Sequence, residues 1–141
     1  MSRENVEIVR RSIERWSDGD LEGFIENLDP EIEWRTSGLY PGIDPVYRGY
    51  DGFRKFWRDF HDIWQTLSME MGEVVAVGDQ VAFSFHFDAT GRDGVRAGRE
   101  QASIGTLRNG LLFRIQNYVS WDEALKDLGR DREGAGADAP R

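Results

Sequence analysis

Few side chains in this sequence could move a proton or grip a ligand beside an apolar surface. His61 follows Trp57 by four residues and precedes Trp64 by three, so its imidazole falls at the edge of an aromatic helix face. There it is either a general base for a bound molecule or a half-exposed surface group. Asn117 shares strand parity with Phe113, Ile115 and Val119. A carboxamide on an apolar face must find hydrogen-bond partners or cost about 1–3 kcal/mol, so it is either a satisfied structural residue or a ligand contact. Ser103 and Gly105 occupy the matching face of the preceding strand if the hairpin register is regular. Gly105 then leaves room either for a ligand beside Ser103 or for a bend. Glu33 and Arg35 flank Trp34 and point away from it as a surface ion pair. His86 lies with Ser84 and Asp88 on the face opposite the phenylalanines of its strand, which makes it an outer, subunit-contact residue.

Several chemistries are excluded by what is missing. There is no cysteine, hence no disulfide, thiolate nucleophile or cysteine metal site. The two histidines stand at unrelated positions, so neither a metal site nor a cofactor is expected. No P-loop, dinucleotide fingerprint or nucleophile elbow occurs. The net charge of −8 argues against nucleic acid and anionic membrane as partners. The N-terminal residues lack the apolar stretch of a signal peptide, and no run approaches the roughly 18 apolar residues of a membrane span, so a cytoplasmic protein is expected.

What remains is aromatic surface. Trp34, Trp57, Phe60, Trp64, Phe83 and Phe85 either fill a core or line a pocket, with Tyr47 available from a loop. Five tryptophans in 141 residues exceed what closing a small core requires, and ligand sites are typically aromatic-lined with few polar groups. The expected partner is therefore a small hydrophobic molecule, and the sequence leaves open whether it is transformed.

The elements that must position these residues follow from spacing. Val6, Val9, Ile13 and Trp16 predict a helix from about Arg3 to Ser17, stopped by Asp18-Gly19. Asp20 caps a short helix with Leu21, Phe24, Ile25 and Leu28 buried, ended by Asp29-Pro30. Glu31 to Thr36 alternates as a half-buried strand, and Ser37 to Tyr50, with three glycines and two prolines, reads as a long loop. Phe53, Phe56, Trp57, Phe60, Ile63, Trp64 and Leu67 then mark a broad apolar helix face over Asp51–Leu67, capped by Asp51. Strands follow over Met69–Val77, bulged near Gly72, then Val81–Asp88, Arg96–Arg108 and Leu111–Ser120, the last two joined by the hairpin signal Asn109-Gly110. Ser120 to Glu123 fits a capping box for a helix with Ala124, Leu125 and Leu128, ended by Gly129. Residues 1–129 form one domain and 130–141 a disordered tail.

This order, with Trp16–Trp34, Val46–Trp57 and Thr106–Gly129 carrying the likeness, resembles the SnoaL-like proteins of the NTF2-like superfamily. The resemblance implies an α+β cone, N-terminal helices packed into a strongly curved, mostly antiparallel sheet, and a homodimer through the outer sheet face, where the sequence itself offers Tyr118, Gln116 and His86 as a mixed polar and aromatic interface. It implies an internal pocket serving an isomerase, cyclase or hydrolase, or a non-catalytic binding or interaction module. In the related ketosteroid-isomerase-like site a tyrosine and two aspartates do the chemistry. Their positions fall here on Ser12, Trp34 and Ser103, so the carried-over catalytic roles have no residues to fill them.

Overall fold

A computed structural model describes residues 2–36 and 42–128. Helix α1 spans Ser2–Ser17 and α2 spans Leu21–Ile25, with the Asp20 carboxylate accepting from the Gly23 amide at 2.9 Å. Strand β1 then covers Leu28–Arg35. Leu28, expected in the helical stripe, instead opens the strand and is almost wholly buried. Pro30 lies inside β1, and pairing with the neighbouring strand slips between Leu28 and Glu33, as it must where a residue has no amide hydrogen to donate. Part of the expected loop is a short strand, β2 (Val46–Arg48), paired antiparallel with β1 so that Trp34 faces Tyr47.

Helix α3 spans Gly49–Ile63, and β3 begins at once, Trp64–Val77. The expected helix over Asp51–Leu67 is therefore four residues too long at its end. Trp64 already has extended dihedrals, and Leu67, Met69 and Met71 alternate against Ala89, Phe87 and Phe85 of the next strand. The ladder with that strand wins over continued helical spacing. At the other end Gly49 turns the chain with φ +73°, and Asp51 sits in the first turn beside the positive helix pole rather than at the cap.

Strands β4 (Gln80–Gly91), β5 (Arg96–Arg108) and β6 (Leu111–Tyr118) complete a six-stranded sheet of order β2-β1-β6-β5-β4-β3. Every neighbouring pair is antiparallel except β1 with β6. The expected bulge near Gly72 is present as a register slip between Met71 and Val74. Asn109 and Gly110 take φ of 55° and 80°, the left-handed pair that an Asn-Gly hairpin turn requires. A further slip follows in β6: Leu107 pairs with Leu112, but Thr106 pairs with Arg114. Leu112 consequently turns inward, and Phe113 turns outward beneath the Arg108 guanidinium, 4.0 Å away. Of the parity group assigned to Asn117, only Ile115 shares its buried face; Val119 lies beyond the strand and is exposed.

The main core joins α1, α2 and α3 to one sheet face. Residues 121–128 form helix α4, whose Glu123 amide donates to Ser120 Oγ at 3.2 Å. Ala124 and Leu128 of α4 pack with Ala82, Ala102 and Ile104 in a second cluster. The Tyr118 phenol donates to Asp127 of α4 at 2.7 Å, so this expected interface residue is tied within the chain. Residues 37–41, with Tyr40, and 129–141, with the expected tail, lie outside the described residues. Among the described residues no helix is long and apolar enough to cross a membrane.

Candidate functional site

Between α1, α3 and the sheet lies a cavity of about 50 Å³. Of the residues singled out in the sequence, Trp34, Phe60, Phe83, Phe85, Ser103 and Asn117 line it. The rest of the wall includes Trp16, Phe24, Phe56, Phe87 and Leu112. Nearly all are buried; Ile13, Leu67 and Met69 alone are partly exposed, which puts the mouth at the seam between α1 and β3.

The polar part of the wall is a relay. Trp34 Nε1–H donates to Asn117 Oδ1 at 2.9 Å, and Asn117 Nδ2–H donates to Ser103 Oγ at 2.8 Å. Ser103 and Asn117 face each other directly across β5 and β6. Asn117 is thus a satisfied structural residue and a wall residue at once. Ser12, also in the wall, donates to the Ile8 carbonyl at 2.8 Å and accepts from Asn27 at 3.0 Å. Trp16 is the exception: it is 5% exposed, its ring centroid lies 4.9 Å from that of Trp57, and its Nε1–H finds no acceptor. An orphaned buried donor of this kind costs about 1–3 kcal/mol.

A family model described as a SnoaL-like domain matches residues 9–115. The chain belongs to the SnoaL-like family. TerC, in a structure co-crystallised with polyporic acid, shares 23% identity at a TM-score of 0.76, covering 89% of this chain and 97% of TerC. An NTF2-like protein of unknown function from Burkholderia pseudomallei shares 20% at 0.76, covering 87% and 95%. A proposed SnoaL-like polyketide cyclase from a Jannaschia species shares 15% at 0.74, covering 89% and 91%. At these identities the likeness establishes the NTF2-like cone and not a reaction. No curated protein matches the sequence.

In this SnoaL-like cone Ser12, Trp34 and Ser103, the positions matched to the ketosteroid-isomerase-like catalytic residues, do meet at one cavity, but as two hydroxyls and an indole. The remaining candidates are placed elsewhere. His61 lies outside the wall: its Nδ1 is 2.8 Å from the Trp57 carbonyl, and its ring stacks on the Trp57 indole at 4.5 Å. That carbonyl makes Nδ1 the protonated nitrogen of the neutral ring. Trp57 is half-buried beside it, and Trp64, in β3, packs edge-on against Phe87 at 6.2 Å. The room at Gly105 is filled by Leu112, whose Cδ2 would sit 2.9 Å from an added Cβ.

Tyr47 is buried core with a tied hydroxyl, which donates to Asp59 at 2.9 Å and accepts from the Asp44 amide at 2.9 Å. Burial raises its phenol pKa, and the Asp59 carboxylate adds to the rise. Asp59 is held below the ordinary carboxylate range chiefly by the Lys55 ammonium, 2.9 Å away. Burial pushes the Glu33 carboxyl up, but Arg35, Arg48 and Arg114 together outweigh it and leave it lowered. These charged groups brace the outside of the cone. Among the described residues, no cluster of three histidine or acidic side chains could hold a metal.

Proposed function

We propose that the chain binds a small hydrophobic molecule in this cavity and acts as a ligand-binding protein. The observation that carries the reading is the composition of the wall: aromatic and aliphatic side chains, with Ser12, Ser103 and Asn117 the non-aromatic polar members, and no carboxylate, imidazole, ammonium or phenol among the described lining residues. Hydroxyl, amide and indole keep one protonation state across the physiological range, so they can orient a ligand but cannot serve as the tuned base that an isomerase, cyclase or hydrolase needs. The co-crystallised polyporic acid of TerC and the cyclase proposal for the Jannaschia protein support an organic ligand as the class. A ligand of more than a few heavy atoms requires Ile13, Leu67 and Met69 to move apart at the mouth, a change to which the flexible methionine is suited.

The test is thermal stability against a panel of small apolar and ring compounds. A compound at a hundred times its dissociation constant raises stability by about 2.7 kcal/mol. The expected result is a saturable rise that Ile13→Trp, which plugs the mouth, abolishes. No rise across the panel would refute the reading, and turnover of a bound compound that depends on His61 would replace it with an enzyme.

A further inference from the structure

The outer face of the sheet gathers positive charge at one point of an acidic chain. Strand pairing sets Glu33 of β1 opposite Arg48 of β2 on one side and opposite Arg114 of β6 on the other. Arg35 follows on the same face of β1. This register places three guanidiniums on one carboxylate: Arg35 Nε at 2.8 Å, Arg48 Nη2 at 3.0 Å and Arg114 Nε at 3.3 Å. Glu33 is the sunken member, its side chain 16% exposed against 43, 71 and 45% for the three arginines, so it forms a floor and they form an open rim. Trp34 and Ile115, which alternate with these residues, line the cavity, so the cluster lies across the sheet from it.

One carboxylate balances one of three cations. A surplus of positive charge is left on a chain whose net charge is −8. The donors are not used up either: Arg35 and Arg114 each reach Glu33 through Nε, and among the described residues no acceptor meets their terminal nitrogens. Arg108, which shares the Phe113 ring with Arg114, differs in being held by Asp29 at 3.3 Å and Glu31 at 3.0 Å. We infer that Arg35, Arg48 and Arg114 form a binding site for a small, soluble oxyanion of the phosphate class carrying two negative charges. The guanidinium is a planar fork that meets phosphate oxygens two at a time, and such charge-assisted bonds are the strong ones. A dianion balances the whole surplus that Glu33 leaves, whereas chloride balances half. An extended polyanion laid along the surface also meets the acidic groups of the rest of the chain, so a small ligand fits best. Glu33 holds the three side chains together beforehand, which reduces the ordering that binding requires.

The experiment titrates the full chain with sodium phosphate at about pH 7.5, where the dianion prevails, against sodium chloride of equal ionic strength. Phosphate is expected to raise the melting temperature saturably and beyond chloride. Its dissociation constant rises about tenfold in Arg48→Gln and in Arg114→Gln, the loss of one charge-assisted pair, and stays within about twofold in Arg108→Gln. In the unmutated protein the Nε–H resonances of Arg35, Arg48 and Arg114 shift with phosphate and that of Arg108 does not, a readout that survives should a variant fail to fold. A stabilisation that chloride reproduces at equal ionic strength overturns the site. So does one that Arg48→Gln and Arg114→Gln both leave intact, and so do resonances of the three arginines that stay in place.

Discussion

Trp34 and Asn117 lie 83 positions apart in sequence and are joined by a buried 2.9 Å hydrogen bond from indole to amide. The bond ties β1 to β6, the one parallel pair in the sheet, and carries on through Asn117 to Ser103 on β5. One side chain thereby fixes three strands at the floor of the cavity.

Asn117→Ala leaves the Trp34 donor without its acceptor and deprives Ser103 of its donor, both in buried surroundings. A loss of about 2–3 kcal/mol is expected, a fall of roughly 5–10 °C in melting temperature. Ser103→Ala removes only the last acceptor and costs about half as much. Equal losses in the two variants, read by thermal or urea unfolding, would show that the relay does not act through Asn117.

Two glycines in the hairpin that carries this relay resist substitution for different reasons. Gly110, at φ 80°, has open space around it, so Gly110→Ala costs backbone strain alone, about 1–2 kcal/mol. Gly105 has no such backbone restriction, but its added Cβ would press on buried Leu112, and overpacking of about 1 kcal/mol or more outweighs the stiffening of the unfolded chain. Leu112→Ala placed on Gly105→Ala should therefore cost less than the sum of the two single changes. Gly110→Ala and Leu112→Ala should instead add.

The lowered pKa of Glu33 gives a pH signature. Its carboxyl binds protons less readily folded than unfolded, so its stabilisation is fully present above the ordinary glutamate value, about 4.3, and is lost as pH falls through the lower folded value. The melting-temperature gap between the wild type and Glu33→Gln should be widest near neutrality and close on acidification below about pH 4. A gap that stayed constant into that range would mean the three arginines do not act through the charge.

The sequence made the fold legible where one pattern ruled alone. Alternation over Val81–Phe87 and the Asn109-Gly110 turn specified a buried strand and a hairpin, and both are present. It misled where two periods overlapped: Phe60, Trp64 and Leu67 continue a helical stripe, while Leu67, Met69 and Met71 begin an alternating one, and strand pairing decides between them only in three dimensions. The inward turn of Leu112 depends on a slip that no local residue type announces. Parity placed Ser103 opposite Asn117, but the donor that completes the chain, Trp34, comes from β1, whose pairing with β6 no local pattern encodes. Trp16 was visible as a core residue of α1; its orphaned nitrogen could be seen only once the rings packed around it were in place.

One hydroxyl ties the backbone across the seam at the cavity mouth. Ser17 Oγ, in the last turn of α1, donates to the Met69 carbonyl at 2.9 Å and accepts from the Met69 amide at 3.2 Å, clasping the backbone of the residue whose side chain lines the mouth. Ser17→Ala removes both bonds at a part-buried position, for a cost of about 1 kcal/mol, without touching the wall itself. If the proposed ligand enters at this seam, α1 and β3 must part, and the variant should speed association and dissociation together and leave the dissociation constant within about a factor of two. Stopped-flow tryptophan fluorescence with a ligand from the stability panel measures both rates. A change confined to dissociation would mean that Ser17 shapes the bound site instead, and unchanged rates would place the entry path elsewhere.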